Sequence, residues 1–173
     1  MELHIYREGC RDRIVKDNTK QNVLYTIGAP WAFFLNPPMA VFRGTDGTEQ
    51  IATITKSGYW NPKYIIELQA NSLLSTPDTV TVLPPSWVFC SKSTFSYDGR
   101  EYVWRSDKEL SCEGKVIAVF KRTCFSWRKK GVLRIDWESE KLVDVIVITA
   151  IAMQYRWEEK RSQSRAGAGG GGV

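Results

Sequence analysis

Residues that build catalytic and metal sites are scarce in this chain. Histidine occurs once in 173 residues, at His4, so a His-rich metal site cannot form, and we expect His4 to be an ordinary strand residue. The aspartates are scattered, and most of them fall in predicted turns, where the side chain can bond nearby backbone: Asp12, Asp17, Asp46, Asp98 and Asp107. The sequence therefore predicts neither an enzyme nor a metal site.

Glycine motifs for phosphate binding and acidic loops for calcium are also missing. No Walker or Rossmann pattern occurs, and the run "GAGGGG" lies in the C-terminal tail rather than between a strand and a helix. No D-x-D-x-D-G calcium loop is present. We therefore expect no bound cofactor.

Cysteine is too sparse for a disulfide framework. The four cysteines, Cys10, Cys90, Cys112 and Cys124, include no C-x-x-C pair and fit no zinc finger. We interpret them as reduced, mostly buried thiols of a cytosolic protein. The first residues, "MELHIYREGCRDR", carry charge but no apolar h-region, so no secretory signal is predicted. We expect a cytoplasmic protein, peripheral at membranes if it binds lipid.

The charge balance is mildly basic. The formal net charge is +5, with 25% charged and 43% hydrophobic residues, proportions typical of a globular domain. The excess of Lys and Arg permits an anionic partner without requiring one. We expect no nucleic-acid partner.

Most of the chain has the pattern of short strands separated by turns. Around eleven or twelve strands are predicted, with turn signals every 8–12 residues or so, which is typical of a sandwich or barrel. Asp46-Gly47 and Asp98-Gly99 are strong hairpin-turn signals, and Glu113-Gly114 marks a third hairpin. A fourth is predicted where "RKKG" separates "TCFSW" from "VLRIDW".

The stretch "LVDVIVITAIAM", residues 142–153, can be interpreted in three ways. A membrane span needs about 20 apolar residues, whereas this run is shorter and contains Asp144. Its β-branched residues favour a strand, but the usual strand has about five or six residues. A helix here would be apolar on every face, and such a helix is buried all round. We therefore predict a helix over about 139–161, with Asp136 or Ser139 as its N-cap.

The preceding strands can supply the shell that such a helix needs. The predicted fold is mainly β: a closed, roughly 12-stranded antiparallel barrel that encloses the hydrophobic C-terminal α-helix, in one domain over residues 1–161. Residues 162–173 are predicted to be a disordered Gly-rich tail. The side chains expected to form the core of the helix are Leu142, Val143, Val145, Ile146, Val147, Ile148, Ile151 and Met153.

Asp144 interrupts this apolar run and needs an explanation, because a lone buried carboxylate is costly. One interpretation pairs it with an arginine of the barrel wall, Arg105 or Arg122. The other places it in the first turn of the helix, near the barrel mouth, in contact with water. We favour the second interpretation.

Many short strands followed by one hydrophobic C-terminal helix resemble the tubby C-terminal-like superfamily, which includes tubby proteins, phospholipid scramblases and the LURP-one-related proteins of plants. The resemblance is carried by "YDGREYVWRS" (97–106), "GKVIAVFKR" (114–122), "GVLRI" (131–135) and "LVDVIVITAIAM". It covers most of residues 1–160 and is closest to an uncharacterised fungal family of tubby-like domains. It implies a barrel of about twelve strands around the terminal helix.

Neither the lipid-headgroup site nor the scramblase activity of that superfamily carries over to this sequence. Tubby domains bind phosphoinositide headgroups through basic residues, but those residues have no position-by-position match in this sequence. Scramblases carry a cysteine-rich acylated stretch and a calcium-binding segment. This sequence has neither, so scramblase activity is not predicted.

The best functional candidate is the basic and aromatic segment "KRTCFSWRKKGVLR" (121–134). Trp127, Arg128, Lys129 and Lys130 are predicted to lie at a hairpin tip, where aromatic and cationic side chains suit an anionic membrane surface. We predict a non-enzymatic domain that binds anionic lipid there. The simpler alternative is a solvated turn whose charges protect a strand edge.

A second functional hypothesis is a protein-interaction module without lipid binding. Exposed aromatic residues of the segment "GAPWAFFLNPP" would carry it: Trp31, Phe33 and Phe34.

Overall fold

The computed structural model describes residues 1–8, 12–28, 37–58, 63–69, 78–83, 92–106, 108–123, 126–136 and 140–168. Within them the chain forms twelve strands and one helix. The elements in chain order are β1 (Glu2–Glu8), β2 (Asp12–Lys16), β3 (Val23–Gly28), β4 (Met39–Arg43), β5 (Glu49–Ser57), β6 (Lys63–Leu68), β7 (Asp78–Val82), β8 (Lys92–Tyr97), β9 (Arg100–Arg105), β10 (Glu109–Cys112), β11 (Lys115–Arg122), β12 (Lys129–Ile135) and α1 (Glu140–Ala168).

All twelve strands belong to one antiparallel sheet, in the order β7-β6-β5-β4-β3-β2-β1-β12-β11-β10-β9-β8. The first and last strands pair with each other, which joins the two halves of the chain. At the ends of this order, β7 and β8 meet through an isolated bridge, where the Leu83 N–H donates to the Thr94 carbonyl at 2.9 Å. The sheet is therefore a nearly closed barrel, as predicted.

Two of the predicted hairpin turns have the backbone that their sequences require. Asp98 and Gly99 have φ values of 49° and 70°, and Glu113 and Gly114 have 51° and 80°. Two successive residues with positive φ define the type I′ turn, whose twist matches that of the flanking strands. The turns thus set the registers of β8 with β9 and of β10 with β11.

The fourth hairpin differs from its prediction. β11 ends at Arg122 and β12 begins at Lys129. Of the four residues predicted at the tip, Lys129 and Lys130 therefore belong to a strand, and Trp127 and Arg128 lie in the connection. Lys129 is held in the sheet because it pairs with Tyr6 of β1, next to a bulge. Cys124 and Phe125, in the predicted strand "TCFSW", lie outside the described residues.

The helix α1 forms the centre of the core, as its all-round apolarity predicted. Residues 142–153 are at most 7% exposed, and all eight predicted core side chains are among them. On one side the Trp104 indole of β9 donates to Thr149 Oγ1 at 3.2 Å. Other sides of the helix bond to β2, β3, β4, β5, β8 and β12. Contacts in so many directions place the helix inside the barrel.

The helix is longer than predicted. It extends to Ala168, so residues 162–168, expected in the disordered tail, are helical, while residues 169–173 lie outside the described part. Arg, Gln and Ala between 161 and 168 favour a helix, whereas the two serines and the glycine among them do not. None of the described helical residues forms a segment long and apolar enough to cross a membrane.

The preferred interpretation of Asp144 is wrong. The side chain is buried, and its Oδ1 accepts a hydrogen bond from the Tyr25 hydroxyl at 2.6 Å. Its Oδ2 accepts from the guanidinium of Arg43, on β4. The partner is therefore an arginine of the barrel wall, but neither Arg105 nor Arg122. Burial raises the pKa of Asp144 above its usual 3.8, against the opposing effects of Tyr25 and Arg43.

Candidate functional site

An open cleft of about 800 Å³ lies where the β11–β12 connection meets the C-terminal turns of α1. Three cationic side chains and one carboxylate line it, together with two tryptophans and two serines. These residues are Arg7, Ser126, Trp127, Lys130, Trp157, Glu158, Arg161 and Ser162. The cleft therefore combines positive charge with aromatic surface, the combination that the sequence predicted for the β11–β12 region.

The four residues predicted for this site occupy different positions. Trp127 and Lys130 line the cleft. Arg128 is exposed at its border, and Lys129 is half-buried in β12. The four are neighbours in the chain, but only two of them face the same space.

Trp127 is the most exposed large apolar side chain among the described residues, at 90%. Its position is defined by backbone bonds on both sides. The Lys129 N–H donates to Ser126 Oγ at 2.9 Å, and the Arg7 N–H donates to the Arg128 carbonyl at 2.7 Å. The connection therefore holds a large aromatic side chain in water. Its exposure forgoes the free energy that burial would provide, which makes Trp127 a candidate contact residue.

Trp157 of α1 also lines the cleft and was not predicted as a site residue. The guanidinium of Arg122 lies 4.1 Å from its ring centroid and that of Arg161 lies 5.3 Å from it. Both distances are within the range of cation–π attraction. Trp157 thus orients Arg161 at the edge of the cleft.

Glu158 bridges a buried cation and an accessible one. Its Oε2 accepts from Arg13 Nη2 at 2.6 Å, and its Oε1 pairs with Lys130 Nζ at 3.3 Å. Arg13 is 1% exposed and also donates to the Asp12 carbonyl at 3.0 Å. The Lys130 side chain is 20% exposed. The carboxylate therefore has one buried partner, Arg13, and a second, partly accessible one that lines the cleft, Lys130.

Residues of α1 on both sides of Glu158 are also attached to the barrel. Glu159 pairs with Lys56 of β5 at 2.9 Å, and the Arg156 guanidinium donates to Ser93 Oγ of β8. Together with Arg13 and Lys130, these contacts tie this end of the helix to four strands. The helical wall of the cleft is therefore held by the barrel.

Among the described residues, no group of three or more His, Cys, Asp or Glu side chains could hold a metal ion. His4 lies buried in β1, where burial and the charges of Lys129 and Lys20 lower its pKa. Cys112 is a free, buried thiol. The other three cysteines lie outside the described residues.

The fold and cleft define a class: a single antiparallel barrel around a central helix, with a basic and aromatic cleft beside one end of that helix. Residues 10–159 match the model of a family of unknown function, DUF6593. The chain belongs to that family. Comparisons with curated proteins and with solved structures find no match.

Proposed function

We propose that this protein is a non-enzymatic domain that docks on anionic membrane surfaces through Trp127 and the cations around the adjoining cleft. The observation that carries the proposal is the 90% exposure of the Trp127 side chain, next to the exposed Arg128. An indole is amphipathic and suits the boundary between headgroups and acyl chains.

The surrounding charges suit the same surface. Arg7, Lys130 and Arg161 line the cleft behind Trp127, and each basic residue near an anionic leaflet contributes about 1 kcal/mol. Glu158 offsets part of this charge because it pairs with Lys130. The expected binding is therefore weak, reversible and sensitive to salt.

We also propose that the chain is related to the tubby C-terminal-like superfamily. The support is architectural: about twelve antiparallel strands surround a buried C-terminal helix, as that resemblance implied. Folds host many functions, so the lipid proposal rests on Trp127 and the cleft rather than on this relationship.

Vesicle co-sedimentation tests the proposal. Wild-type protein should bind vesicles containing anionic phospholipid at low salt, and less at high salt or on neutral vesicles. Trp127→Ala should abolish most binding, whereas Val116→Ala should not, because Val116 is an exposed apolar residue on β11, 44% accessible, outside the cleft.

The charge contribution has its own variant. Arg128→Ala, Lys129→Ala and Lys130→Ala combined should weaken vesicle binding and reduce its salt dependence. If wild type fails to bind anionic vesicles at low salt, the proposal is wrong. The alternative of a protein-interaction module would then be preferred; its residues Trp31, Phe33 and Phe34 lie outside the described part of the chain.

A further inference from the structure

We propose that two copies of this chain form a symmetric dimer by packing the outer face of β9 against each other, with Val103 at the centre. An uncharged row of side chains on the outside of the barrel and two charges beside its centre carry the proposal. Such a dimer is independent of membrane docking, because none of these residues lines the cleft.

The side chains of β9 alternate between the two faces of the sheet. Tyr102 and Trp104 point into the barrel, where they are at most 2% exposed. Glu101, Val103 and Arg105 therefore face outwards. The two charged residues are exposed, and the valine between them is half-buried.

Val103 is the middle of an uncharged outer row that crosses the sheet from the end of β7 to β11. Cross-strand pairs connect its members, which are Leu83, Thr94, Val103, Ser111 and Val116. Neighbouring strands are about 4.8 Å apart, so the row is about 19 Å long. Its two ends, Leu83 and Val116, are 49% and 44% exposed and are two of the four exposed large apolar residues in the described part of the chain. Exposed apolar surface with a charged border is typical of an interaction site.

The charged residues Glu101 and Arg105 lie on opposite sides of the outer row. Among the residues that the structure describes, neither side chain forms an ion pair. The cross-strand neighbours of Arg105 are Lys92 and Glu109, one of each sign, so its side of the row stays positive. Both Glu101 and Arg105 are therefore available to a group of opposite charge.

A two-fold axis along the outer row makes this face complementary to itself. The rotation places each strand opposite its own copy and exchanges the two sides of the row. Arg105 then faces Glu101 of the second copy, and Glu101 faces Arg105 of the second copy, while the two Val103 side chains meet between them. An axis parallel to β9 would instead bring like charges together. The first arrangement gives an apolar centre with a charged rim, as protein interfaces have.

The contact is expected to be weak. The row consists of short side chains, and an exposed ion pair contributes little by itself. A small interface of this kind should associate in about the micromolar to millimolar range. High salt should weaken it, because the two ion pairs lie at the exposed rim.

Sedimentation equilibrium of the full chain, with a reductant and without lipid, tests the dimer. With rising concentration, wild type should shift from the 19.8 kDa mass of one chain toward twice that mass. Glu101→Arg or Arg105→Glu alone turns both ion pairs into repulsive pairs, so each should weaken association about tenfold or more. Glu67→Arg and Lys63→Glu are the matched controls. They make the same charge changes at exposed positions of β6, outside the row, and should associate as wild type does.

Mixing the two β9 variants tests the predicted pairing directly. One variant presents two cations and the other two anions, so the mixture should form a heterodimer at concentrations where each variant alone is monomeric. A chain that carries both Glu101→Arg and Arg105→Glu should associate with itself again. Every changed position is exposed, so all variants should melt close to wild type.

Three outcomes would overturn the proposal. The first is wild type that stays at the mass of one chain up to about 1 mM, where even a weak contact is populated. The second is association that the β9 variants alter no more than the β6 controls do, because another face would then carry it. The third is a mixture of the two β9 variants that remains monomeric.

Discussion

The carboxylates at the two ends of the buried part of α1 lie in different surroundings. Asp144 is 7% exposed, and its two oxygens bond Tyr25 and Arg43. The side chains of Glu158 and Glu159 are 28% and 34% exposed and pair with cations at the rim of the barrel. An acidic residue at one end is thus part of the core, while those at the other end border a cleft open to solvent.

The difference shows how one helix can serve both the core and a surface site. Burial without partners would cost several kcal/mol for an ion, so Asp144 is compatible with the core only because both of its oxygens are bonded. At the other end, accessible charges interact weakly and can change partners. The acidic residue at the buried end therefore belongs to the stable core, whereas those at the open end contribute little to stability, and the following predictions test that difference.

The largest effect is expected when the helix is removed. A chain truncated before residue 139 loses the apolar segment that fills the barrel, including Ile146, Val147 and Ile151, each fully buried. We expect no cooperative unfolding transition by circular dichroism. A truncated chain that still unfolds cooperatively would show that the strands form a stable barrel without the helix.

Asp144→Ala should destabilise the protein by about 3 kcal/mol, because it leaves Arg43 and the Tyr25 hydroxyl without their acceptor. Glu159→Ala, at the open end, should cost less than about 1 kcal/mol. Urea denaturation at pH 7 measures both free energies of unfolding. Equal losses in the two variants would remove the distinction between the two ends.

Gly131→Ala should cost about 1–3 kcal/mol, the usual effect of overpacking. Gly131 follows the cleft residue Lys130 in β12, and an added Cβ would lie 2.5 Å from the Phe120 ring and 2.6 Å from the Lys121 carbonyl oxygen. Gly28→Ala is the control, since a Cβ there meets nothing within 4 Å. Urea denaturation that ranks Gly28→Ala as the more damaging change would contradict the packing described for β12.

The smallest effect concerns pH. Because burial raises the folded-state pKa of Asp144 above 3.8, the folded protein favours the protonated acid more than the unfolded chain does. Stability from this group is fully present below about pH 3.8 and is lost as pH rises through the folded pKa. The unfolding free energy of wild type minus that of Asp144→Asn should therefore fall as pH rises above 3.8. A difference that rises with pH instead would mean that Arg43 and Tyr25 outweigh burial.

Sequence reasoning reached the core more reliably than the site. Residues 142–153 were predicted to be buried because their apolar side chains cover every face of a helix rather than one face. They are buried in the structure. Of the residues that line the cleft, only Trp127 and Lys130 were predicted as site residues from the sequence. Trp157, Glu158 and Arg161 read as the polar end of a helix, and nothing in their local pattern placed them beside Arg7 or Arg13.

The sequence by itself determined the kind of fold: many short strands, hairpin turns at Asp98-Gly99 and Glu113-Gly114, and a helix apolar enough to require enclosure. These features depend on local conformational preference and on burial, which neighbouring residues encode. Only the tertiary structure decided that Arg43 meets Asp144 and that Glu158 joins Arg13 to Lys130. Such pairs depend on the register of twelve strands around the helix, because an ion pair is set by distance in space and not by separation along the chain.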